Sequence, residues 1–252
     1  MTALVRIVLI DPSHPGNIGS VARAMKNMAL SDLVLVRPRS FPHAEANALA
    51  AGADDILAGA RVAATVAEAI GDCGFIAGTT SRPRSYHWDF DTPRDVAARI
   101  AGLPAESRAA LLFGSERYGL GTEDLNHCNV LVRIPANPEY CSLNLAMSVQ
   151  LLAYELYVSR EQPQSHTQLE LPLAPSGDVE HFYAHLLEVL KEIDFDDRTG
   201  HLMERLRRLF NRAQLDRNEL NILRGILSAV QGRRGQSAER PRAERGGGNE
   251  RD

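Results

Sequence analysis

The chain has 252 residues, 44% of them hydrophobic, which suits one large globular domain or a domain with an appendage. Its apolar runs fall short of the ~18 residues that a membrane-spanning helix needs, and Asp11 interrupts the apolar N-terminus before it could act as a signal peptide. The three cysteines form no CxxC pair, so a disulfide framework and a cysteine zinc site are excluded, and a cytoplasmic protein is expected.

The net charge of -4 is unevenly distributed along the chain. Residues 198–242 contain eleven arginines and four acidic residues, whereas residues 1–197 contain fifteen basic and twenty-five acidic residues. A basic segment of this kind indicates a polyanionic partner such as nucleic acid, although a solvated helix face would explain it equally well.

Short apolar runs alternate with helical or turn-rich segments through the first 159 residues. This alternation predicts an α/β domain with a mostly parallel sheet over residues 1–159. The predicted strands are residues 5–10, 33–36, 74–78, 110–113 and 130–134. The predicted helices are one capped by Asn17 and three others over residues 44–57, 62–70 and 144–157.

The C-terminal part of the chain has a different pattern. Residues 160–177 contain prolines and no periodicity, which indicates a linker. Three segments with helical spacing follow and predict a small all-helical extension over residues 178–232, with Thr199 capping the second helix and Asp216 and Glu219 forming a capping box at the third. Residues 233–252 are almost free of apolar side chains and are expected to be disordered.

The first of three chemically informative segments follows the first predicted strand. Gly16 and Gly19 allow a sharp turn into a helix, whose free N–H groups attract anions. Arg23 adds a guanidinium that suits a phosphate. A capped helix without a ligand would explain the segment equally well.

The second and third segments also begin at the ends of predicted strands, where open α/β sheets bind ligands. Residues 111–121 are rich in glycine, but their spacing fits neither a Walker loop nor GxGxxG, which argues against ATP and NAD. In residues 134–155, Pro135 and Pro138 restrict a loop that leads into a helix beginning near Ser142 or Asn144. Such a rigid polar loop is typical of a binding site.

Together these segments resemble motifs one, two and three of the SpoU/TrmH branch of the SPOUT RNA methyltransferases, in the same order. The residues that carry the resemblance are Asn17, Gly19, Ser20 and Arg23, then Phe113, Gly114, Glu116, Gly119 and Leu120, then Ile134, Pro135, Asn137, Ser142, Leu143 and Asn144. The stretches SHPGNIGSVARAMKNM and ANPEYCSLNLAMSVQ are similar to the TrmJ-type subfamily of bacterial tRNA methyltransferases. That subfamily methylates the ribose 2'-oxygen of cytidine or uridine at nucleotide 32, the first nucleotide of the anticodon loop.

The resemblance implies an α/β-knot fold, in which the last part of the catalytic domain passes through a loop to form a deep trefoil knot, a rare exception to unknotted connectivity. The knot would bind S-adenosylmethionine as methyl donor, and no metal is expected. The implied cofactor-binding residues are Thr79, Thr80, Ser81, Gly114, Ile134, Cys141, Ser142 and Leu143.

The resemblance also assigns catalytic roles to Arg23, Ser142 and Asn144. A guanidinium has a pKa above ~12 and no lone pair, so we expect Arg23 to hold a phosphate and stabilise the developing alkoxide rather than act as a base. The proton would pass to a phosphate oxygen, to Ser142 or to water. Ser142 and Asn144 would orient the ribose, and Glu116 is expected to cap backbone N–H groups more readily than to act as an acid or base.

The partners implied by the resemblance and the charge pattern are tRNA and a second copy of the chain, with no membrane. In such a homodimer, Arg23 of one subunit could approach the cofactor of the other. The expected RNA-binding residues are Asn17, Arg23, Arg82, Arg84, Arg205, Arg207, Arg208 and Arg212. Two alternatives remain open, a 2'-O-methyltransferase of ribosomal RNA and a non-catalytic RNA-binding protein, although the intact Arg23 and Asn144 argue against the second.

Overall fold

A computed structural model describes residues 3–81, 90–161, 171–195, 197 and 200–238, with side chains described as far as residue 232 and that of Glu161 excepted. The predictions for Arg82, Arg84 and Thr199, for half of the linker and for the last part of the tail fall outside the described residues.

A parallel sheet forms the centre of the N-terminal body and confirms the predicted α/β class. Its seven described strands lie in the order β3-β2-β1-β6-β4-β7-β5, and every neighbouring pair is parallel. The strands are β1 (Leu4–Ile10), β2 (Asp32–Val36), β3 (Arg61–Ala63), β4 (Phe75–Thr79), β5 (Phe90–Asp91), β6 (Arg108–Phe113) and β7 (Val130–Val132).

Helices cover both faces of this sheet, which explains why its central strands are almost continuously apolar. Val8 of β1 pairs with Val34 of β2 and Leu112 of β6, and these side chains belong to the core on one face. Ile7 and Leu9 belong to the core on the other face. The helices of the body are α1 (Pro15–Asn27), α2 (Ala44–Ala50), α3 (Asp54–Ala58), α4 (Val66–Ile70), α5 (Pro93–Ala101), α6 (Thr122–Leu125) and α7 (Leu145–Glu161).

The prediction that Asn17 caps the first helix is wrong. Helix α1 begins earlier, at Pro15, with His14 in the cap position. Proline suits the first turn because its fixed φ is helical and its missing N–H would have no partner there. The side chain of Asn17 is instead engaged by residues of two other loops.

Two further helix predictions are also wrong in detail. The alanine-rich residues 44–57 form two helices, because Ala51 (φ 47°) and Gly52 (φ 92°) adopt left-handed conformations that end α2. Residues 62–70 divide into the edge strand β3 and the short helix α4, which Thr65 caps by accepting a hydrogen bond from Glu68 N. In both regions tertiary packing overrides helix propensity.

The connectivity around β7 is the feature relevant to a knot. Strand β7 lies between β4 and β5, although β4 and β5 follow each other among the described strands. Helix α7, which follows β7 along the chain, packs against α1 and α5. The trefoil threading itself stays a prediction.

Three helices form the C-terminal extension, α8 (Ser176–Glu192), α9 (Leu202–Ala213) and α10 (Arg217–Ala238). Phe182 and Phe210 meet edge to face at 5.1 Å between ring centroids in their common core. The predicted capping box is confirmed, because Asp216 N donates to Glu219 Oε2 and Glu219 N to Asp216 Oδ1. Helix α10 continues past residue 232, where the tail was expected to begin.

Candidate active site

One cavity opens at the carboxyl ends of β4 and β6 and beside the loop that follows β7. Its volume is about 800 Å³ when the open mouth is included. All eight predicted cofactor-binding residues line it, namely Thr79, Thr80, Ser81, Gly114, Ile134, Cys141, Ser142 and Leu143. The fold thus brings together three segments that are widely separated in sequence.

Several lining residues were not among the predicted cofactor-binding residues, although three of them, Phe113, Glu116 and Gly119, belong to motif two. They are Phe113, Ser115, Glu116, Arg117, Tyr118, Gly119, Val132, Leu145 and Ser148. Most of them belong to the glycine-rich turn after β6. The glycines in residues 114–121 were therefore the feature of the sequence that could have identified them. Val132 and Leu145 lie within a strand and a helix, and the sequence pattern around them indicated only core positions.

Gly114 is required by the tight packing of the turn after β6. A Cβ atom at Gly114 would lie 2.0 Å from the carbonyl carbon of Gly119 and 2.2 Å from Leu120 N. The turn closes through a hydrogen bond from Gly119 N to Ser115 O at 2.8 Å, and Gly119 has a φ of 66°. Only glycine avoids strain at both positions, so the backbone wall of the cavity depends on this pair.

Glu116 joins motif two to motif one. Its carboxylate accepts hydrogen bonds from Ser13 N at 2.9 Å, Ser13 Oγ at 2.7 Å, His14 N at 3.2 Å and Asn17 Nδ2 at 2.9 Å. Burial alone would raise the pKa of Glu116, but the hydrogen bonds from Asn17 and Ser13 outweigh it and lower the pKa to about 2. The capping role that we expected is confirmed, and so acidic a carboxylate is a weak base.

Asn144 joins motif three to motif one. Its Nδ2 donates to Asn17 Oδ1 at 3.0 Å, while its Oδ1 accepts from Ala146 N at 2.8 Å and from Met147 N at 3.4 Å. Asn144 therefore caps α7 and ties the start of that helix to α1. Through Asn17 and Glu116 a single hydrogen-bonded chain links all three motifs.

Arg23 lies on the exposed face of α1, beside the cavity and not within its wall. It lines an open groove of about 870 Å³ between α1 and α7, which shares Leu143 with the cofactor cavity. Arg23 forms no ion pair or side-chain hydrogen bond with any of the residues that the structure describes. Its positive charge is therefore available to an anion from outside the chain.

The four arginines of α9 lie in two different environments. Arg205 and Arg212 are exposed, whereas Arg208 is half-buried and donates to Glu204 O of the same helix. Arg207 points the other way, where it forms a bidentate ion pair with Glu180 and lies 4.4 Å from the centroid of the Tyr183 ring. The helix thus separates Arg207 from the other three.

The described residues form neither a metal site nor a helix that could cross a membrane. No group of three His, Cys, Asp or Glu side chains there could hold a metal ion. None of the described helices is long and apolar enough to cross a bilayer.

The sequence matches two known protein families. Residues 4–154 match the SpoU rRNA Methylase family, and residues 177–243 match the C-terminal domain of the tRNA methyltransferase TrmJ. The chain belongs to the SpoU methylase family, in its TrmJ group. Both the body and the helical extension are covered by these matches.

Individual relatives agree over nearly the whole length. The tRNA (cytidine/uridine/adenosine-2'-O-)-methyltransferase TrmJ of Pseudomonas aeruginosa (strain UCBPP-PA14) is 45% identical over 240 residues, which cover 90% of this chain and 93% of that protein. The tRNA (cytidine/uridine-2'-O-)-methyltransferase TrmJ of Sodalis glossinidius (strain morsitans) is 47% identical over 232 residues, covering 90% and 91%. The crystal structure of TrmJ from Z. mobilis ZM4 superimposes with a TM-score of 0.80 at 36% identity, covering 91% of this chain and 100% of that one. The predicted family resemblance is confirmed.

Proposed function

We propose that the protein transfers a methyl group from S-adenosylmethionine to the ribose 2'-oxygen of a cytidine or uridine at nucleotide 32 of tRNA. The observation that carries the proposal is one cavity lined by motifs two and three, with Glu116 and Asn144 of these motifs hydrogen-bonded to Asn17 of motif one. Relatives that align with this chain along nearly their whole length are named as 2'-O-methyltransferases of tRNA.

The cavity fits a cofactor of this kind. Hydroxyl groups of Ser81 and Ser142, with backbone groups at the ends of β4 and β6, supply donors and acceptors, while Ile134 and Leu143 supply apolar surface. S-adenosylmethionine, when bound, supplies an electrophilic methyl group on a sulfonium.

The residues of the chain then have to orient a ribose and handle charge. Arg23 carries a positive charge that no described residue neutralises, so it would bind the target phosphate and stabilise the alkoxide as it develops. Asn144 keeps the loop that bears Ser142 in register with α1. The proton would leave to a phosphate oxygen, to Ser142 or to water, and orientation would supply much of the rate.

A homodimer in the cytoplasm, where tRNA is found, completes the proposal. Helix α7 exposes Met147 (62%), Leu151 (41%) and Tyr154 (50%) at helical spacing, and the first two line the groove beside Arg23. Burying this surface against a second copy would remove apolar area from water and bring Arg23 next to the partner subunit.

Direct methylation assays test the substrate. The protein would be incubated with S-adenosylmethionine and unmodified tRNA transcripts, and the methylated nucleotide would be mapped by mass spectrometry of nuclease fragments. We expect a single ribose methyl group at nucleotide 32, and none in a matched transcript that carries 2'-deoxyribose there. Transcripts with adenosine at this nucleotide would show which base range applies, because the two relatives differ in the bases that their names include.

The same assay separates the alternatives. Methylation of ribosomal RNA fragments in place of tRNA would indicate the activity that the family description names. Absence of binding to S-adenosylmethionine and S-adenosylhomocysteine in calorimetry would instead indicate a non-catalytic RNA-binding protein.

A further inference from the structure

The C-terminal extension is attached to the body by a continuous strip of polar contacts, which we call the docking seam. The body contributes Ile70, Gly71, Cys73, Asn126, His127 and Asn129, and the extension contributes Ser176, Gly177, Glu180 and Asn211, with Arg207 supporting Glu180 from within the extension.

The first part of the docking seam is the N-terminus of α8. Ser176 N donates to Cys73 O at 2.9 Å, Ser176 Oγ to Ile70 O at 2.9 Å, and Gly177 N to Gly71 O at 3.0 Å. The free N–H groups of α8 are thus satisfied by carbonyl groups at the end of α4, which fixes the angle at which α8 leaves the body.

The second part joins α9 to the sheet. Asn129 pairs with Ile76 of β4 through Asn129 N to Ile76 O at 2.8 Å and Ile76 N to Asn129 Oδ1 at 2.7 Å. Asn129 Nδ2 donates to Asn211 O at 2.9 Å, and Asn211 Nδ2 donates to Asn126 O at 2.8 Å. Asn211 is 9% exposed, so these bonds form in a largely water-excluded place where an unpaired amide would be costly.

Partly buried charges complete the docking seam. Glu180 accepts both guanidinium N–H groups of Arg207 and lies 3.5 Å from His127 Nδ1 in the body. Burial would raise the pKa of Glu180, but the contacts with His127 and Arg207 lower it to about 2. Arg207 is thereby held between Glu180 and the ring of Tyr183, whose hydroxyl donates to Asn211 Oδ1 at 2.7 Å.

The position of the docking seam relative to the cavity gives it a functional consequence. Asn129 and Ile76 lie at the amino ends of β7 and β4, whereas the cavity lies beyond the carboxyl ends of the same strands. Ile76 and Asn129 are each three residues from Thr79 and Val132, which line the cavity, so the contact with α9 lies about 10 Å from the cavity along the strands. RNA bound to the outward face of α9 would have one orientation relative to a cavity only if the extension does not move relative to the body.

We propose that the docking seam positions RNA for methyl transfer, and that Arg207 and Asn211 are positioning residues and not RNA contacts. This inference rests on the proposed function. It divides the arginines of α9 into Arg205 and Arg212, which are exposed and available to phosphates, and Arg207, which is directed inward.

The experiment compares Arg207→Met and Asn211→Ala, singly and combined, with Arg205→Ala in the full chain. The positioning role predicts that the combined variant binds tRNA within about 3-fold of the wild-type Kd, while its kcat falls about 10-fold or more, because bound RNA is no longer presented in one orientation. Arg205→Ala should raise the Kd and make it less dependent on salt. Glu188→Gln, an exposed change on α8 outside the docking seam, is the matched control and should alter neither quantity.

The opposite pattern would overturn the proposal. If Arg207→Met weakened tRNA binding and reduced the salt dependence as Arg205→Ala does, with kcat preserved at saturating tRNA, Arg207 would be a phosphate contact. Unchanged Kd and kcat in the combined variant would also overturn it.

Hydrogen exchange provides a second readout that does not require activity. The amides of Ser176 and Gly177 should exchange faster in the combined variant, while binding of S-adenosylhomocysteine stays unchanged; equal exchange rates would show that these residues do not hold the extension. Arg207→Lys, which keeps the charge but loses the bidentate geometry, is the milder variant if the combined one does not fold, and its kcat should fall by less. Failure of the proposed function would look different, because the wild-type protein would then methylate no tRNA, and exchange would still test the docking seam.

Discussion

The two ends of the parallel sheet differ in whether an arginine there is paired with groups of its own chain. At the amino end, Arg6 is 5% exposed and is surrounded by acceptors of its own chain, with Asp32 Oδ2 at 2.9 Å, Ala69 O at 2.8 Å and Asp72 Oδ2 at 3.1 Å. Beside the carboxyl end, Arg23 is exposed and pairs with none of the described residues.

The comparison shows how to distinguish a structural arginine from a functional one. A guanidinium whose donors are all satisfied internally stabilises the fold, and its removal leaves partners without a counter-charge. A guanidinium without internal partners contributes little to stability and retains its donors for a ligand. Four predictions test the contrast between the two ends of the sheet, beginning with the largest expected effect.

Replacing Arg23 should have the largest effect on activity. Arg23→Ala is expected to lower kcat for tRNA methylation about 1,000-fold, as expected for loss of a group that stabilises transition-state charge. Arg23→Lys should keep no more than about a tenth of the activity, because an ammonium cannot bind bidentately. Single-turnover methylation measures both, and calorimetry should give unchanged affinity for S-adenosylhomocysteine.

Arg61→Ala, an exposed arginine on the edge strand β3, is the matched control and should keep full activity. Nearly full methylation by Arg23→Lys would contradict a guanidinium-specific role. Positive charge alone, without the geometry of a guanidinium, would then account for the role of Arg23.

Replacing Gly114 tests the carboxyl end without changing any charge. In Gly114→Ala the added methyl group would collide with the backbone of Gly119, so the turn that forms the cavity wall has to move. We expect affinity for S-adenosylhomocysteine to fall at least about 30-fold, equivalent to about 2 kcal/mol. Gly59→Ala is the control, since its methyl group would meet only ordinary contacts from 3.4 Å, and unaltered affinity in both variants would place the ligand elsewhere.

Replacing Arg6 tests the amino end. Arg6→Met should lower the free energy of unfolding by about 2 kcal/mol, because Asp32 and Asp72 lose their partner but remain partly accessible to water. The folded fraction should bind S-adenosylhomocysteine normally. Urea titration measures the loss, and Arg37→Ala, which breaks a half-exposed pair with Asp11, should cost less than about 0.5 kcal/mol.

The smallest effect concerns the pH dependence of Glu116. Its pKa is lowered from 4.5 to about 2, so its stabilising contribution is complete above about pH 4.5 and is lost as the pH falls toward 2. Allowing for solvent screening, we expect this contribution to be about 1 kcal/mol. Glu116→Gln should flatten the dependence of the unfolding free energy on pH in that window, whereas the exposed Glu123→Gln should leave the Glu116 contribution intact.

The sequence determined the elements and residue types whose signals are local. Alternating apolar runs indicated the main strands, and glycine, asparagine and serine after those strands indicated where a ligand would bind. Helical spacing also indicated the three helices of the extension, because each buries one face and exposes the other.

Only the tertiary structure decided how these pieces meet. Left-handed Ala51 and Gly52 divide a helix that propensity predicts to be continuous, and a backbone position of this kind leaves no periodic signal. Glu116 reaches Asn17 across 99 positions of sequence, and Asn211 reaches Asn126 across 85. Arg207 carries the same side chain as its neighbours on α9, yet its partner Glu180 is fixed by how two helices pack. The spacing of residues along the chain shows which side of a single helix or strand a residue lies on. The partner of a charged side chain depends on how all the helices and strands pack together.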